Sequence, residues 1–468
     1  MNQTKVLILG AGVTGLAAGW KLLKESSAFE VTLLEQDLEP GVLAKTLLWN
    51  GYRLDLGPHR FHTDIPEIRD FIRTFCESSM ERVARSSRMY LNGRYLPYPI
   101  SPLPTFQALG LRQSVAFFFS ALQSLFQGRA SHDCSYEEYV RRYYGDALYR
   151  RIFEPFAQKV WGVPPSRLDG EVARVRLRGD TIWHALLDGL FSRHETYVAQ
   201  FLYPPGGIGE IPKQFAREIE SRGGRIVYGH SVESIVWEEN RVAAVATRVE
   251  STTRTWDCDI LISTIPLPCL VAMARPAFPE PVRQAAESLR FRALVLLYLI
   301  WDKPMGIQDT WLYYPENHVP FSRISVPENF TGLNKATGKT CLCLEFPCEK
   351  NDATWNAESS TLARAAETIL IDSGLVDAPA ADVLKVPLLF GYPLYTRGYS
   401  PLLERVLAHL QQTSNCLVAG RQGLFRHNNT DQSMQMGLLA AEQVLHHPDR
   451  LPDWYDGVAR FNDYRIVD

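Results

Sequence analysis

An α/β fold is predicted by three observations at the start of the chain. A short β run, Lys5–Leu9, ends in Gly10-Ala-Gly12-Val-Thr-Gly15; helical spacing follows over Val13–Lys24; a second β run, Glu30–Leu34, ends at Glu35. These pieces form a βαβ unit with an acid closing its second strand. That order is the context a dinucleotide fingerprint requires. Gly10 permits the tight turn, Gly12 lets the backbone approach a pyrophosphate, and Gly15 allows the helix to pack closely on the strand. The helix N-terminus presents the positive end of its dipole to phosphate, and Glu35 is placed to accept hydrogen bonds from a ribose.

The remaining elements alternate in the same way. From about Pro66 to Phe201 the chain reads as mostly helical, aromatic and basic. A second α/β block then begins, with a helix and its leading loop over Gly207–Arg222 and strands at Arg225–Tyr228, Ser234–Trp237, Arg241–Val249 and Asp259–Thr264. Strands follow at Ala293–Trp301, Trp311–Tyr314 and Thr340–Phe346, then a helix at Ser360–Ser373. The last block, Cys416–Leu445, reads as strand, Gly-Arg turn, loop and helix.

Composition narrows the function classes. At 468 residues, with 46% hydrophobic and 22% charged, the chain is an ordinary globular protein. Length alone allows about three domains, and the interleaved pattern reduces these to two. Lys+Arg 49 against Asp+Glu 52 leaves a net charge of -3, so no basic field is available for nucleic acid. Any anion must be held by a local site.

The eight cysteines form no C-x-x-C pair and read as reduced thiols. Cys341 and Cys343 alternate as a strand would, on one face and without histidine partners, so no metal site is expected. MNQTKVLILG runs straight into a strand with no basic n-region or cleavage site, which implies a cytoplasmic protein. The apolar stretches Ser114–Phe126 and Ala293–Trp301 fall short of the ~20 residues of a membrane helix. Ser114–Phe126 reads as a core helix, with peripheral membrane contact as the other reading. Neither H-E-x-x-H nor G-x-S-x-G occurs, which removes support for zinc and triad hydrolases.

Beyond Glu35 the chain resembles the FAD-dependent oxidoreductases that include amine oxidases, protoporphyrinogen oxidase and UDP-galactopyranose mutase. Their Gly-Gly-(x)-(S/A)-(R/K)-T turn is matched by Gly41-Val42-Leu43-Ala44-Lys45-Thr46, with Val42 in place of the second glycine. Gly207–Arg225 followed by His230-Ser231-Val232 resembles the family's helix, strand and adenine-contacting valine. Asp259-Ile-Leu-Ile-Ser-Thr-Ile-Pro266 resembles its D-x-V-I-x-T-x-P strand, and Gly420-Arg421 resembles the motif that brings a helix N-terminus to the flavin. The resemblance implies FAD as cofactor and a discontinuous Rossmann-type FAD-binding domain made of 1–65, 202–290 and 386–468. A mixed helical and β-sheet substrate domain would comprise 66–201 and 291–385.

Further segments resemble the mutase branch. Gly57-Pro58-His59-Arg60-Phe61-His62-Thr63 matches G-P-H-x-F-H-T, whose second histidine lies against the flavin, and Phe156-Ala-Gln-Lys159-Val-Trp161-Gly162-Val163 matches a substrate-domain motif. Phe321-Ser322-Arg323-Ile324 resembles a Y-T-R-I segment that supplies an active-site arginine, and Tyr392-Pro393 a further Y-P segment. The resemblance assigns catalytic roles to His62, Arg323, Arg421 and His427. It assigns cofactor contacts to Gly10, Gly12, Gly15, Glu35, Gly41, Lys45, Thr46, Gly57, His62, Val232, Gly420, Arg421 and Asn429, and substrate contacts to Trp161, Arg323 and Tyr392.

Some positions have a second reading. A tryptophan in a helical domain also serves as core, and Arg174, Arg176 and Arg178 also read as a solvated helix face; motif context favours His62, Arg323 and Arg421 over that cluster. His427 and Asn429 stand where the mutases carry a tyrosine and an aspartate, which implies a relative with a different substrate. The expected activity runs through flavin N5 on an activated or lipid-linked sugar or related polar metabolite, nucleotide sugars among them. Two alternatives stand beside it: an oxidase or desaturase of the protoporphyrinogen oxidase or amine oxidase type, and a non-catalytic flavin-bound regulatory or assembly protein.

Overall fold

The computed structural model describes residues 3–76, 80–98, 115–117, 119–120, 122–124, 130–177 and 200–466. Arg178 and positions 114, 118, 121, 125 and 126 lie outside the described residues; the rest of the apolar stretch 114–126 is helical, but Val115 and Phe119 are exposed, so it is not the core helix expected. Among the described residues no helix is long and apolar enough to cross a membrane.

The N-terminal unit forms as its pattern dictates: strand Thr4–Leu9, helix Val13–Glu25, strand Phe29–Leu34. These strands join a five-stranded parallel sheet in the order Cys416–Val418, Ile260–Ser263, Thr4–Leu9, Phe29–Leu34, Arg225–Val227. The first strand lies centrally, with its successor on one side and a much later strand on the other. Its C-terminal end is therefore a topological switch point, where open α/β sheets bind ligands. Helix Thr430–His446 closes over the first helix, and a Cβ at Gly437 would lie 2.1 Å from the Thr14 carbonyl oxygen, so only glycine permits that approach.

A seven-stranded sheet runs 382–393, 291–301, 340–348, 323–325, 311–313, 87–91, 94–97. Its longest interior strand, Phe291–Trp301, second in that order, is apolar from Ala293 onward because both faces are covered there. Val295, Leu297, Leu299 and Trp301 face a cluster with Leu362, Ala366 and Leu370 of helix Ser359–Asp372, while Leu296, Tyr298 and Ile300 face Tyr52 and Leu54. Cys341 and Cys343 share that second face, as their alternation predicts. Strand Asp382–Pro393 pairs with Phe291–Trp301 along its length, so the division expected at residue 386 falls inside one strand.

The described residues of 66–201 are mostly helical, as expected, but not wholly so. The stretch contains strands Glu81–Ala84, Ser87–Leu91 and Arg94–Pro97, with Gln200–Tyr203 at its end. The reason is local: Asn92-Gly93 adopts positive φ at both residues, the hairpin geometry that Asn-Gly favours. Asn50-Gly51 does the same between strands Thr46–Trp49 and Tyr52–Asp55, a second hairpin absent from the sequence reading.

Candidate active site

At the switch point the glycine turn has the geometry a pyrophosphate needs. Gly10 adopts φ +96°, and its N–H donates to the Leu34 carbonyl at 2.8 Å. A Cβ at Gly15 would lie 2.1 Å from the Gly10 carbonyl oxygen, so helix and strand touch backbone to backbone. Gly12 caps the helix without a side-chain acceptor for its first N–H groups, and a Cβ there would meet only Val42, at 3.5 Å or more. Those N–H groups and that open surface fit an anionic ligand.

Glu35 is buried and closes the second strand; it accepts from the Ala11 N–H at 2.7 Å and the Asp37 N–H at 2.9 Å. Burial raises its carboxyl pKa, which those two donors oppose. An ionised carboxylate has further acceptor sites, so the ribose role remains open to it. The donors, the glycine surface and the acid together fit the adenine dinucleotide half of FAD.

The Gly41–Thr46 turn is bound to this cradle. Gly41 bridges Gly12, and its N–H donates to the Ala11 carbonyl at 2.9 Å. Val42, where the family has glycine, is held at φ +53°, a left-handed conformation strained for a β-branched side chain. Lys45 Nζ pairs with Asp37 at 2.7 Å. The Thr46 hydroxyl accepts from the Gly209 N–H at 2.8 Å and donates to Asp55, so it braces the turn against helix Glu210–Ser221 rather than facing outward. Asp55 also accepts from the Tyr203 hydroxyl and the Ile208 N–H, and burial pushes it up to about 6.

A cavity opens where the parallel sheet meets the large sheet. Its walls come from the loop after Asp55 (Gly57, His59), from strands (Leu294, Leu296, Arg323, Glu345, Leu388, Tyr392) and from the segment following the last parallel strand (Arg421, Asn428). Gly57, Arg323, Tyr392, Gly391 and Arg421 thus converge from distant sequence positions. Gly420, at φ +83°, admits this segment against Thr14; a Cβ there would lie 2.6 Å from the Thr14 hydroxyl.

Two expectations change. His62 sits at the cavity mouth with its side chain 49% exposed, 3.6 Å from Asp64. His59, three residues earlier, lines the same cavity and is the less exposed of the two: its Nε2 lies 3.2 Å from the Leu56 carbonyl oxygen, and burial, with Arg421 and Arg323 nearby, lowers its pKa to about 4. Loop geometry turns His59 inward, and no periodicity in the sequence distinguishes the two. Arg176, set aside as a solvated face, also lines the cavity; its guanidinium lies 5.2 Å from the Trp161 ring centroid and 5.3 Å from that of Tyr392. Arg174 instead pairs with Glu171 at 2.9 Å.

The cavity cations differ in their partners. Arg323 binds Glu345 through Nε at 2.9 Å and Nη2 at 2.7 Å. Burial alone would lower its pKa, yet the Glu345 carboxylate holds it well above the ordinary value. Arg421 is bound by Asn428, through a side-chain contact of 3.2 Å and the backbone carbonyl, and by no carboxylate among the described residues. Burial lowers its pKa, and the charge of Arg176 acts in the same direction.

His427 is buried behind Tyr392, edge-on to Trp161 at 5.2 Å and to Tyr395 at 4.6 Å. Burial, reinforced by Arg176 and Arg421, drives its pKa well below the usual value, so it is neutral. It does not line the cavity, and Trp161 is likewise buried in the wall rather than exposed within it. Asn429 lines the cavity but caps helix Thr430–His446 reciprocally with Gln432, a structural duty its sequence position did not reveal. Val232 lies in strand Ser231–Glu238, opposite Thr247. Glu345, like His59, is a cavity residue that the sequence reading passed over; its signal was a carboxylate on the Cys341, Cys343 face of a buried strand.

Comparison with known proteins agrees with this geometry. Residues 13–347 match the model of the flavin containing amine oxidoreductase family. Protoporphyrinogen oxidase 1 of Arabidopsis thaliana is 25% identical over 190 residues, 38% of this chain and 35% of that protein. The probable UDP-galactopyranose mutase of Klebsiella pneumoniae is 23% identical over 189 residues, 37% of this chain and 45% of that protein. The matches thus span less than half the length of these relatives. The crystal structure of a reduced UDP-galactopyranose mutase superposes with a TM-score of 0.83 at 22% identity, covering 99% of this chain and 100% of that one, which establishes the shared fold. By its matched sequence and its dinucleotide cradle, the chain belongs to the flavin-containing amine oxidoreductase family, with FAD as its cofactor.

Proposed function

We propose that this flavoenzyme acts on an anionic substrate, an activated or lipid-linked sugar or a related phosphate-bearing metabolite, held in the cavity beside the flavin. One observation carries the reading: Arg176 and Arg421 line the same cavity with no carboxylate partner for either among the described residues. An uncompensated pair of guanidiniums is costly to bury, and a phosphate group relieves that cost through charge-assisted hydrogen bonds.

When bound, FAD supplies hydride or electron-pair chemistry at N5. The chain's own residues do the rest. Gly12 and the first turn of helix Val13–Glu25 hold the pyrophosphate, and Glu35 the ribose. Arg421 and Arg176 fix the substrate's anionic group, with Tyr392 as a flat wall beneath it. Leu294, Leu296 and Leu388 keep water from the reacting end. Neutral His59 offers a hydrogen-bonding edge that does not add to the positive charge of the arginines.

The same three leucines with Trp311 favour a second reading, oxidation of a larger apolar substrate in the manner of the porphyrinogen oxidases the chain resembles. One experiment separates them: visible spectra of the FAD-loaded protein with a panel of nucleotide sugars, porphyrinogens and amines, before and after dithionite reduction. Turnover only after reduction supports the sugar reading. Anaerobic bleaching by a porphyrinogen or amine supports the oxidase.

A further inference from the structure

We propose that the groove beside the cavity mouth is a second phosphate-binding subsite. It is lined by His62, Thr63, Arg69, Arg73 and Arg82, with the largely buried Phe61 and Phe201 and with Leu202 beside them. His62 and Phe201 also line the main cavity, so the two concavities adjoin.

The folding of the chain makes this groove basic. Helix Pro66–Phe75 buries Ile68, Phe71 and Ile72, with Phe71 stacked on Phe215 at 3.7 Å. Arg69 and Arg73, one turn apart, are left on its solvent side. Arg82 comes from strand Glu81–Ala84, opposite Leu202 in the ladder, where the pleat turns Val83 inward and Arg82 outward. Three guanidiniums from two elements thus surround one hollow. The carboxylates nearby are Asp64, 3.5 Å from Arg69 and 87% exposed, and Asp70, 2.9 Å from Arg73. Both pairs are open to water and weakly held. Arg82 has no carboxylate against it among the described residues, so the groove keeps a positive balance next to Leu202 and the edges of Phe61 and Phe201.

The ligand this favours is a phosphate or diphosphate group attached to an organic moiety, since fork-shaped donors match its oxygens and Phe61, Phe201 and Leu202 flank it. Two sources share that chemistry: the far end of the molecule whose reacting part fills the main cavity, and a separate free phosphate. The first source rests on the substrate reading above; the subsite itself does not.

The test uses the FAD-loaded full chain titrated calorimetrically with inorganic pyrophosphate. Wild type, Arg176→Met, and the double variant Arg73→Ala with Arg82→Ala are compared, with circular dichroism to verify folding. Both groove arginines are exposed, and the double variant is expected to melt as wild type does. Pyrophosphate binding that persists in Arg176→Met and weakens at least ~10-fold in the double variant supports the groove. Binding unchanged in the double variant, or lost altogether in Arg176→Met, overturns it. Persistence of only the groove event, with no event sensitive to Arg176→Met, keeps the groove and counts against the cavity reading. A UDP-galactose arm distinguishes the sources: displacement of pyrophosphate from both sites at one ligand per chain assigns them to one molecule, and displacement from the cavity alone assigns the groove to a separate phosphate.

Discussion

Arg323 and Glu345 neutralise each other inside the cavity, with Arg323 Nε and Nη2 both on Oε1 at 2.9 and 2.7 Å. With Arg323 so paired, Arg176 and Arg421 remain cavity cations that no carboxylate among the described residues pairs. Removing one partner of a buried ion pair exposes the other's desolvation cost. Glu345→Gln is therefore expected to lose about 3 kcal/mol in urea unfolding. It should also tighten pyrophosphate binding, because Arg323 gains a reason to accept an anion. A variant of unchanged stability and weaker pyrophosphate affinity contradicts this.

Val42 inverts the usual rank of alanine and glycine. Alanine is normally the better residue by about 0.5–1 kcal/mol, but a left-handed φ of +53° penalises any Cβ. Val42→Gly should be more stable than Val42→Ala by about 1 kcal/mol. Equal midpoints in denaturant, or a more stable Val42→Ala, would show that the turn relaxes away from this conformation.

Gly15 has no room for a side chain, since its Cβ would lie 2.1 Å from the Gly10 carbonyl oxygen. Gly15→Ala must shift the helix off the strand. The expected loss is about 3 kcal/mol or more, with FAD retained substoichiometrically after purification, read from the ratio of visible to ultraviolet absorbance.

The depressed pKa of His59, about 4, gives a signed pH effect. An unfolded histidine titrates near 6.5, so below that value the unfolded state binds the extra proton. The stability associated with neutral His59 is complete above about pH 6.5 and is lost as pH falls towards 4. The loss amounts to about 3 kcal/mol. His59→Gln should flatten that part of the stability profile. Ring signals of His59 that titrate near neutrality in nuclear magnetic resonance would refute the assignment.

Much of the fold was legible because periodicity reports burial. Lys5–Leu9, Glu30–Leu34, Arg241–Val249 and Ala293–Trp301 lie within or match observed strands. The hairpins at Asn50-Gly51 and Asn92-Gly93 carry a turn signal too, in the Asn-Gly pairs that favour positive φ at both residues. The site was less legible, because it forms by convergence. Which of His59 and His62 turns inward is decided by a loop, and Arg176 becomes a cavity residue only when its helix meets Tyr392. Thr46 and Asn429 matched motif positions, yet their side chains are engaged in bracing and capping.

On the proposed function, Arg176 and Arg421 receive an anionic group next to the flavin. Titration of the FAD-loaded protein with UDP and with uridine, followed by the visible flavin band, tests it most directly. A saturable change is expected with UDP, none with uridine, and at least ~10-fold weaker UDP binding in Arg176→Met. Equal responses to UDP and uridine, or a UDP response indifferent to Arg176, would contradict it.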